Sequence, residues 1–227
     1  MSLSPANEKP LSQALGERRA TSSFLPDPVP DADLVRILEA GLSAPSGFNL
    51  QPWRFVVVRD PAQRLLLRQA AMNQAKVEEA PVVIVACGDA EAWRNGDLDE
   101  VIRLAQEHGY GEEKDHARIR KNVMATFDSP PGSAGGLAPD FSLWVNRQTM
   151  IALTTMMWMA EVLGYDTAPM ESFYEDKVKT ILGIPVQVRV VALLAIGRRK
   201  GEQKRFAGRF DRRRTVFAES WGREILL

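Results

Sequence analysis

The sequence predicts an α+β fold: an α-β-α sandwich with a small mixed sheet and helices on both of its faces. Three observations predict it. Residues 80–87 (APVVIVAC) and 188–197 (VRVVALLAIG) are nearly continuous apolar runs, the pattern of strands buried on both sides. Strands and helices alternate along the chain, with strands few and short beside the helices. Residues 141–163 form a long helix apolar nearly all round, which needs cover on every side, within the domain or against a second subunit.

In chain order, residues 29–43 read as a helix that Asp31 or Asp33 can cap, with Leu34, Ile37, Leu38 and Leu42 on one apolar face. Residues 54–58 (RFVVV) read as a strand. Asp60 then caps a helix with Pro61 at its first position, where no N–H is needed. After the central strand at 80–87, residues 89–127 look helical but polar, broken near HGYGEEKD. DSPPGSAGGLAPD is a loop by composition. The apolar helix ends at Gly164 in its C′ position, YEDKVKTILG is a further helix, and 188–197 is the last strand. No linker divides the chain, so residues 1–227 read as one domain with 198–227 as a C-terminal arm.

Composition narrows the function. Lys plus Arg equals Asp plus Glu at 29 each, so no global field points to nucleic acid or an anionic membrane. The greasiest stretch, 151–160, is too short to span a bilayer and is flanked by Asn146, Arg147 and Glu161. One cysteine, Cys87, and an N-terminus without an apolar core predict a cytoplasmic protein. GxGxxG, Walker A, GxSxG and CxxC patterns are missing. His108 and His116 have no cysteine or carboxylate cluster around them, so no metal is expected and both read as solvated surface. Any hard chemistry then comes from a cofactor, and no side chain is expected to be catalytic.

Residues 44–55, APSGFNLQPWRF, join a helix to a strand with more backbone-shaping and hydrogen-bonding groups than a spacer requires. Set beside ERRATSSF (17–24), MNQAKVEEAPVVIV (72–85) and AEVLGYDTAPMESF (160–173), they resemble the nitroreductase family, FMN-dependent flavoproteins that work as homodimers. The similarity runs from Arg18 to about Ile196 and is weakest across 89–139. It implies FMN as cofactor, NAD(P)H as reductant, a small-molecule electron acceptor, a second copy of the chain as partner, and no nucleic acid or membrane.

Residue by residue, the resemblance implies that Arg18 and Arg19 bind the FMN phosphate, whose oxygens suit guanidinium forks. Ser46 would bond the ribityl hydroxyls and Asn49 the polar edge of the pyrimidine ring. Pro45 and Pro52 would fix the path, and Gly47 would allow close backbone approach; Trp53 reads as core. Asn73 and Lys76 match ring-binding positions. Pro169, Met170, Glu171 and Ser172 match the segment over flavin N5, with the Glu171 N–H donating there. Arg212 and Arg214 resemble a basic pair that completes the phosphate site, within an arm of ten basic and four acidic residues that reads otherwise as solvated or RNA-touching. The chain departs from the family at Ala20 (usually Ser), Ser22 (usually basic) and Ser172 (often Gly). Without a cation at Ser22, Lys76 is left to stabilise the anionic reduced flavin. The implied activity is hydride transfer from NAD(P)H through flavin N5 to a nitroaromatic, quinone or related acceptor. The alternatives are a non-catalytic flavin sensor and a deiodinase-like or flavin-destroying relative, whose lid has little room between 72 and 81.

Overall fold

The computed structural model describes residues 8–128 and 141–225; apart from Asp128, the stretch expected as a loop at 128–140 lies outside them. Strands β1 (Trp53–Val58), β2 (Val82–Gly88), β3 (Asp166–Met170) and β4 (Arg189–Gly197) make one sheet in the order β1-β2-β4-β3. Every pairing between them is antiparallel. Parallel pairing enters the described residues at one bridge, Ala20 with Thr167 on β3. The eight helices are α1 (Leu11–Glu17), α2 (Asp31–Leu42), α3 (Pro61–Ala70), α4 (Ala75–Glu79), α5 (Leu98–Glu107), α6 (Glu113–Phe127), α7 (Phe141–Val162) and α8 (Glu175–Leu182).

Strand alternation explains the sandwich. Val83, Val85 and Cys87 of β2 join Leu193 and Ala195 of β4 in one layer, covered by α3, α4 and α8 through Leu67, Val77 and Val178. Val82, Ile84 and Ala86 face the other layer, where Ile37 of α2 and Leu153 and Met156 of α7 cover them. Every residue of β2 is buried, as its sequence predicts. Asp60 caps α3 as expected, its Oδ1 accepting from Gln63 N at 2.9 Å with Pro61 first in the helix.

Four expectations need correction. Neither Asp31 nor Asp33 caps α2; its N-cap is Pro30. Asp33 is buried, and its carboxylate accepts from the Tyr165 hydroxyl at 2.5 Å, while Asp31 pairs with Arg59. The buried stripe of α2 runs Leu34–Ile37–Gly41. A Cβ on Gly41 would lie 2.3 Å from Met156 Cε, and that close approach of α7 leaves Leu42 turned outward, 52% exposed. His116 is buried rather than solvated. The capping box of Glu112 and Asp115 starts α6 so that its first turn folds under the 108–111 bend, where His116 Nε2 meets Tyr110 O at 2.8 Å. His108 stands at the exposed end of α5, as expected. Finally, α7 is buried on one face only. Val145, Thr149, Ala152, Leu153, Met156 and Ala160 are covered, but Leu143 and Ile151 are 49% and 41% exposed. Among the described residues no helix is long and apolar enough to cross a membrane.

Candidate functional site

Two clusters form at opposite ends of α7, and they hold most of the residues that the sequence singles out. The first gathers on the β3 edge. Arg18 and Arg19 follow the end of α1, where Thr21 N donates to Thr167 O at 3.0 Å and the Ala20–Thr167 bridge ties the loop to the sheet. Arg18 lies over the Trp158 ring at 5.6 Å. Its Nε and Nη1 are buried without a hydrogen-bond partner among the described residues. Burial lowers its pKa, with the Glu161 carboxylate opposing and Arg209 and Arg19 adding to the effect.

The corner between α3 and α4 belongs to the same cluster. Asn73 has φ 56 and Met72 φ 53, the left-handed region, a cost of order 1–3 kcal/mol for a residue held there. Gln74 Nε2 donates to Ser172 O at 3.0 Å and Tyr174 N to Ala70 O at 2.9 Å, fastening this corner to the turn after β3. The ladder ends at Met170 opposite Leu193, so the Glu171 N–H lies just beyond it; Pro169 sits exposed on the edge strand, where its missing N–H costs nothing. Lys76, half-buried on α4, has its pKa lowered, first by burial and then by Lys204. Ser22 is exposed, while Ser23 Oγ and Phe24 N both donate to Glu79 of α4. Burial has pushed the Cys87 thiol up to about 11, which leaves no nucleophile in this part of the sheet.

The second cluster is the 44–52 loop. Ser46 Oγ accepts from Gln51 N at 3.0 Å, Gly47 N donates to Gln148 Oε1 at 2.9 Å, and Asn49 is exposed. Phe48, Asn49 and Gln51 all have positive φ, between 45 and 57. A Cβ on Gly47 would meet the Trp144 indole at 3.2 Å, so this glycine answers the close approach of α7. Phe48 and Trp144 both touch Phe127, and Trp53 is core as expected. Pro45 is exposed and Pro52 buried at the loop's two ends.

Arg212 and Arg214 stand apart, in a short 3-10 turn that Asp211 caps; Arg214 lies over Phe210 at 4.6 Å. The tail residues that reach the first cluster are others. Gln203 Nε2 donates to Glu17 O at 2.8 Å, Phe206 packs under Arg19, and the charges of Lys204 and Arg209 are felt at Lys76 and Arg18. Sequence reasoning missed Lys204 and Arg209 because they are two of ten basic residues in a stretch with no periodicity. Only tertiary placement separates them. Among the described residues no group of His, Cys, Asp or Glu could hold a metal ion.

A β3 edge with orphaned guanidinium donors, joined to an α3–α4 corner and faced by a Ser-Gly-Asn loop, fits a phosphate-bearing cofactor. The Nitroreductase family model matches residues 15–198, four-fifths of the chain. This chain belongs to the nitroreductase family. It is 39% identical to a Thermus thermophilus NADH dehydrogenase over 181 residues, 80% of this chain and 82% of that one. A Bacillus subtilis relative whose name includes NAD(P)H nitroreductase, MhqN, is 30% identical over 196 residues, 86% and 91% of the two chains. A protein of Exiguobacterium sibiricum solved in complex with FMN superposes with a TM-score of 0.82, covering 93% of this chain and 98% of that one at 22% identity. The nitroreductase-family chain is thus an NAD(P)H-dependent oxidoreductase. In it the segment at 71–81, where a deiodinase-like member would need its lid, holds only α4.

Proposed function

We propose that the protein is an FMN-dependent homodimer that passes hydride from NAD(P)H to a nitroaromatic, quinone or related small acceptor in the cytoplasm. Bound FMN supplies the hydride chemistry, at its N5. The residues' tasks are to hold it, orient it and set its charge environment. Arg18 and Arg19 hold the phosphate with donors that no other described group satisfies. Ser46, whose oxygen already accepts from Gln51 N, turns its hydroxyl proton toward the ribityl chain. Lys76 stands at the pyrimidine edge, where a cation favours the anionic reduced form.

One observation carries the dimer. Gln148, which holds Gly47, and Trp158, which lies under Arg18, are ten residues apart on α7, about 15 Å along the axis. A ribityl chain leads directly into its phosphate, so Ser46 and Arg18 of one chain stand too far apart for one cofactor. A second copy resolves this. Leu143, Arg147, Ile151, Thr155 and Trp158 form a stripe on the less covered face of α7. A two-fold axis near Ile151 would set Trp144 of one copy beside Trp158 of the other, and the loop of one chain against the cations of its partner. Two cofactor sites then arise by symmetry.

The test is the absorption spectrum of the purified protein with and without NADPH. A yellow protein that bleaches on reduction and recolours with a nitroaromatic supports the enzyme. A yellow protein that NADPH and NADH leave unchanged would mark a flavin sensor instead.

A further inference from the structure

The C-terminal segment crosses the loop that follows α1, and it does so with aromatic and cationic side chains. Gln203 is tied to Glu17 O and Lys200 N donates to Ser23 O at 3.0 Å, so residues 200–203 are fastened on both sides of Arg18 and Arg19. Three residues on, the Phe206 ring carries two guanidinium groups, Arg19 at 4.6 Å and Arg209 at 5.4 Å from its centroid. Like charges sharing one ring repel, and a cation–π contact at an exposed site offsets only part of that. Nearby acids do not neutralise them. Among the described residues Arg18, Arg19 and Arg209 have no carboxylate within ion-pair distance, and the two acids closest by, Glu17 and Glu161, both pair with Lys9. Cations assembled in this way and left uncompensated suit a multiply charged anion with several acceptor oxygens.

We infer that Arg209, from the same chain, is the third member of an arginine clamp on a phosphate monoester, and that Phe206 is the positioning residue that aims Arg19 and Arg209. The inference rests on the FMN reading. Three guanidinium forks match the three terminal oxygens of the phosphate. Arg18 is braced on Trp158, and Arg19 and Arg209 on Phe206. Arg214 is less suited to the role, since its guanidinium lies on Phe210.

Apo-protein is titrated with FMN and with riboflavin, which lacks the phosphate, following flavin fluorescence. Arg209→Ala should weaken FMN about ten- to hundredfold and leave riboflavin within about twofold. Phe206→Leu should weaken FMN by several-fold and Phe206→Tyr should restore it. Arg214→Ala should cost less than Arg209→Ala. Phe206 and Arg209 are exposed, so melting temperatures of the flavin-free variants should match wild type. Unchanged FMN affinity in Arg209→Ala overturns the clamp, as does an equal loss for both flavins or a larger loss in Arg214→Ala. Phe206→Tyr as weak as Phe206→Leu overturns the positioning role. Wild type that binds FMN no tighter than riboflavin sinks the clamp alone, whereas wild type that binds neither sinks the FMN reading with it.

Discussion

At its N-terminal end α7 is wrapped in rings, with Phe141 and Trp144 against Phe127 at 4.5 and 5.0 Å, while its C-terminal end is bound into charges. There Glu161, buried, accepts from Lys9 Nζ at 3.0 Å, and Arg18 lies over Trp158 one turn earlier. The contrast shows what each end has to do. A loop that presents neutral hydrogen-bonding groups needs rigid support, and the aromatic cluster provides it by holding Gly47 and Phe48 in one conformation. An anion site needs cations that stay unpaired. Lys9 serves that end by occupying both Glu161 and Glu17, which would otherwise neutralise Arg18.

The largest effect should come from joining the two ends wrongly. Ile151→Asp places a carboxylate at the proposed two-fold axis, where burying it unpaired costs several kcal/mol. Light scattering should give a monomer, and flavin should be lost. A dimer holding a full complement of flavin would end the proposed pairing, whose interface should exceed roughly 2,000 Å². Next, the two ends should fail differently. Trp144→Ala should cost about 2–4 kcal/mol of stability, read as a lower melting temperature. Arg18→Ala should leave the flavin-free melting temperature alone and weaken FMN by about 1.5–3 kcal/mol in a titration. If both variants lose stability alike, the division of labour is wrong.

A smaller effect tests the role of Lys9. Lys9→Met frees Glu161 and Glu17 to pair with Arg18, so FMN affinity should drop by a few-fold although Lys9 is no flavin contact. The Lys9 pKa is raised: desolvation lowers it, and the hydrogen bonds and charges of Glu161 and Glu17 outweigh that. A raised lysine pKa adds stability that is whole below its ordinary 10.5 and is lost as pH climbs through the raised value. Alkaline melts above that point should therefore fall faster for wild type than for Lys9→Met. The smallest effect is on potential. Lys76→Met or Lys204→Met should lower the flavin potential and Ser22→Arg raise it, by roughly 1 kcal/mol, about 20 mV for two electrons. Equal potentials in a redox titration of all four proteins would remove the lysines from that edge.

Short-range features were legible in the sequence because their causes are local. Asp60 and Pro61 start α3 within three residues of chain, and β2 is visible as an unbroken apolar run. The charged and strained parts were less so. Asp33 looks like a cap because its neighbours are those of a helix start; its true partner, Tyr165, is 132 residues away. Leu42 follows the helical period, and only the approach of Met156 to Gly41 turns it outward. Arg18, Ser46 and Asn73 could be picked out by similarity, but their division into two clusters could not. It depends on how far apart Gln148 and Trp158 lie on one helix.

The sheet order has a consequence for synthesis. β4 lies between β2 and β3, and it is the last strand to be made. Until residue 197 has left the ribosome, β2 has a bare inner edge, and β3 has no strand partner at all. β1 and β2 can pair early, being close in the chain, but the layer under α8 must wait. A nascent chain stopped at 188 would therefore display the apolar edge of Val82–Gly88, a template for pairing with other unfinished chains.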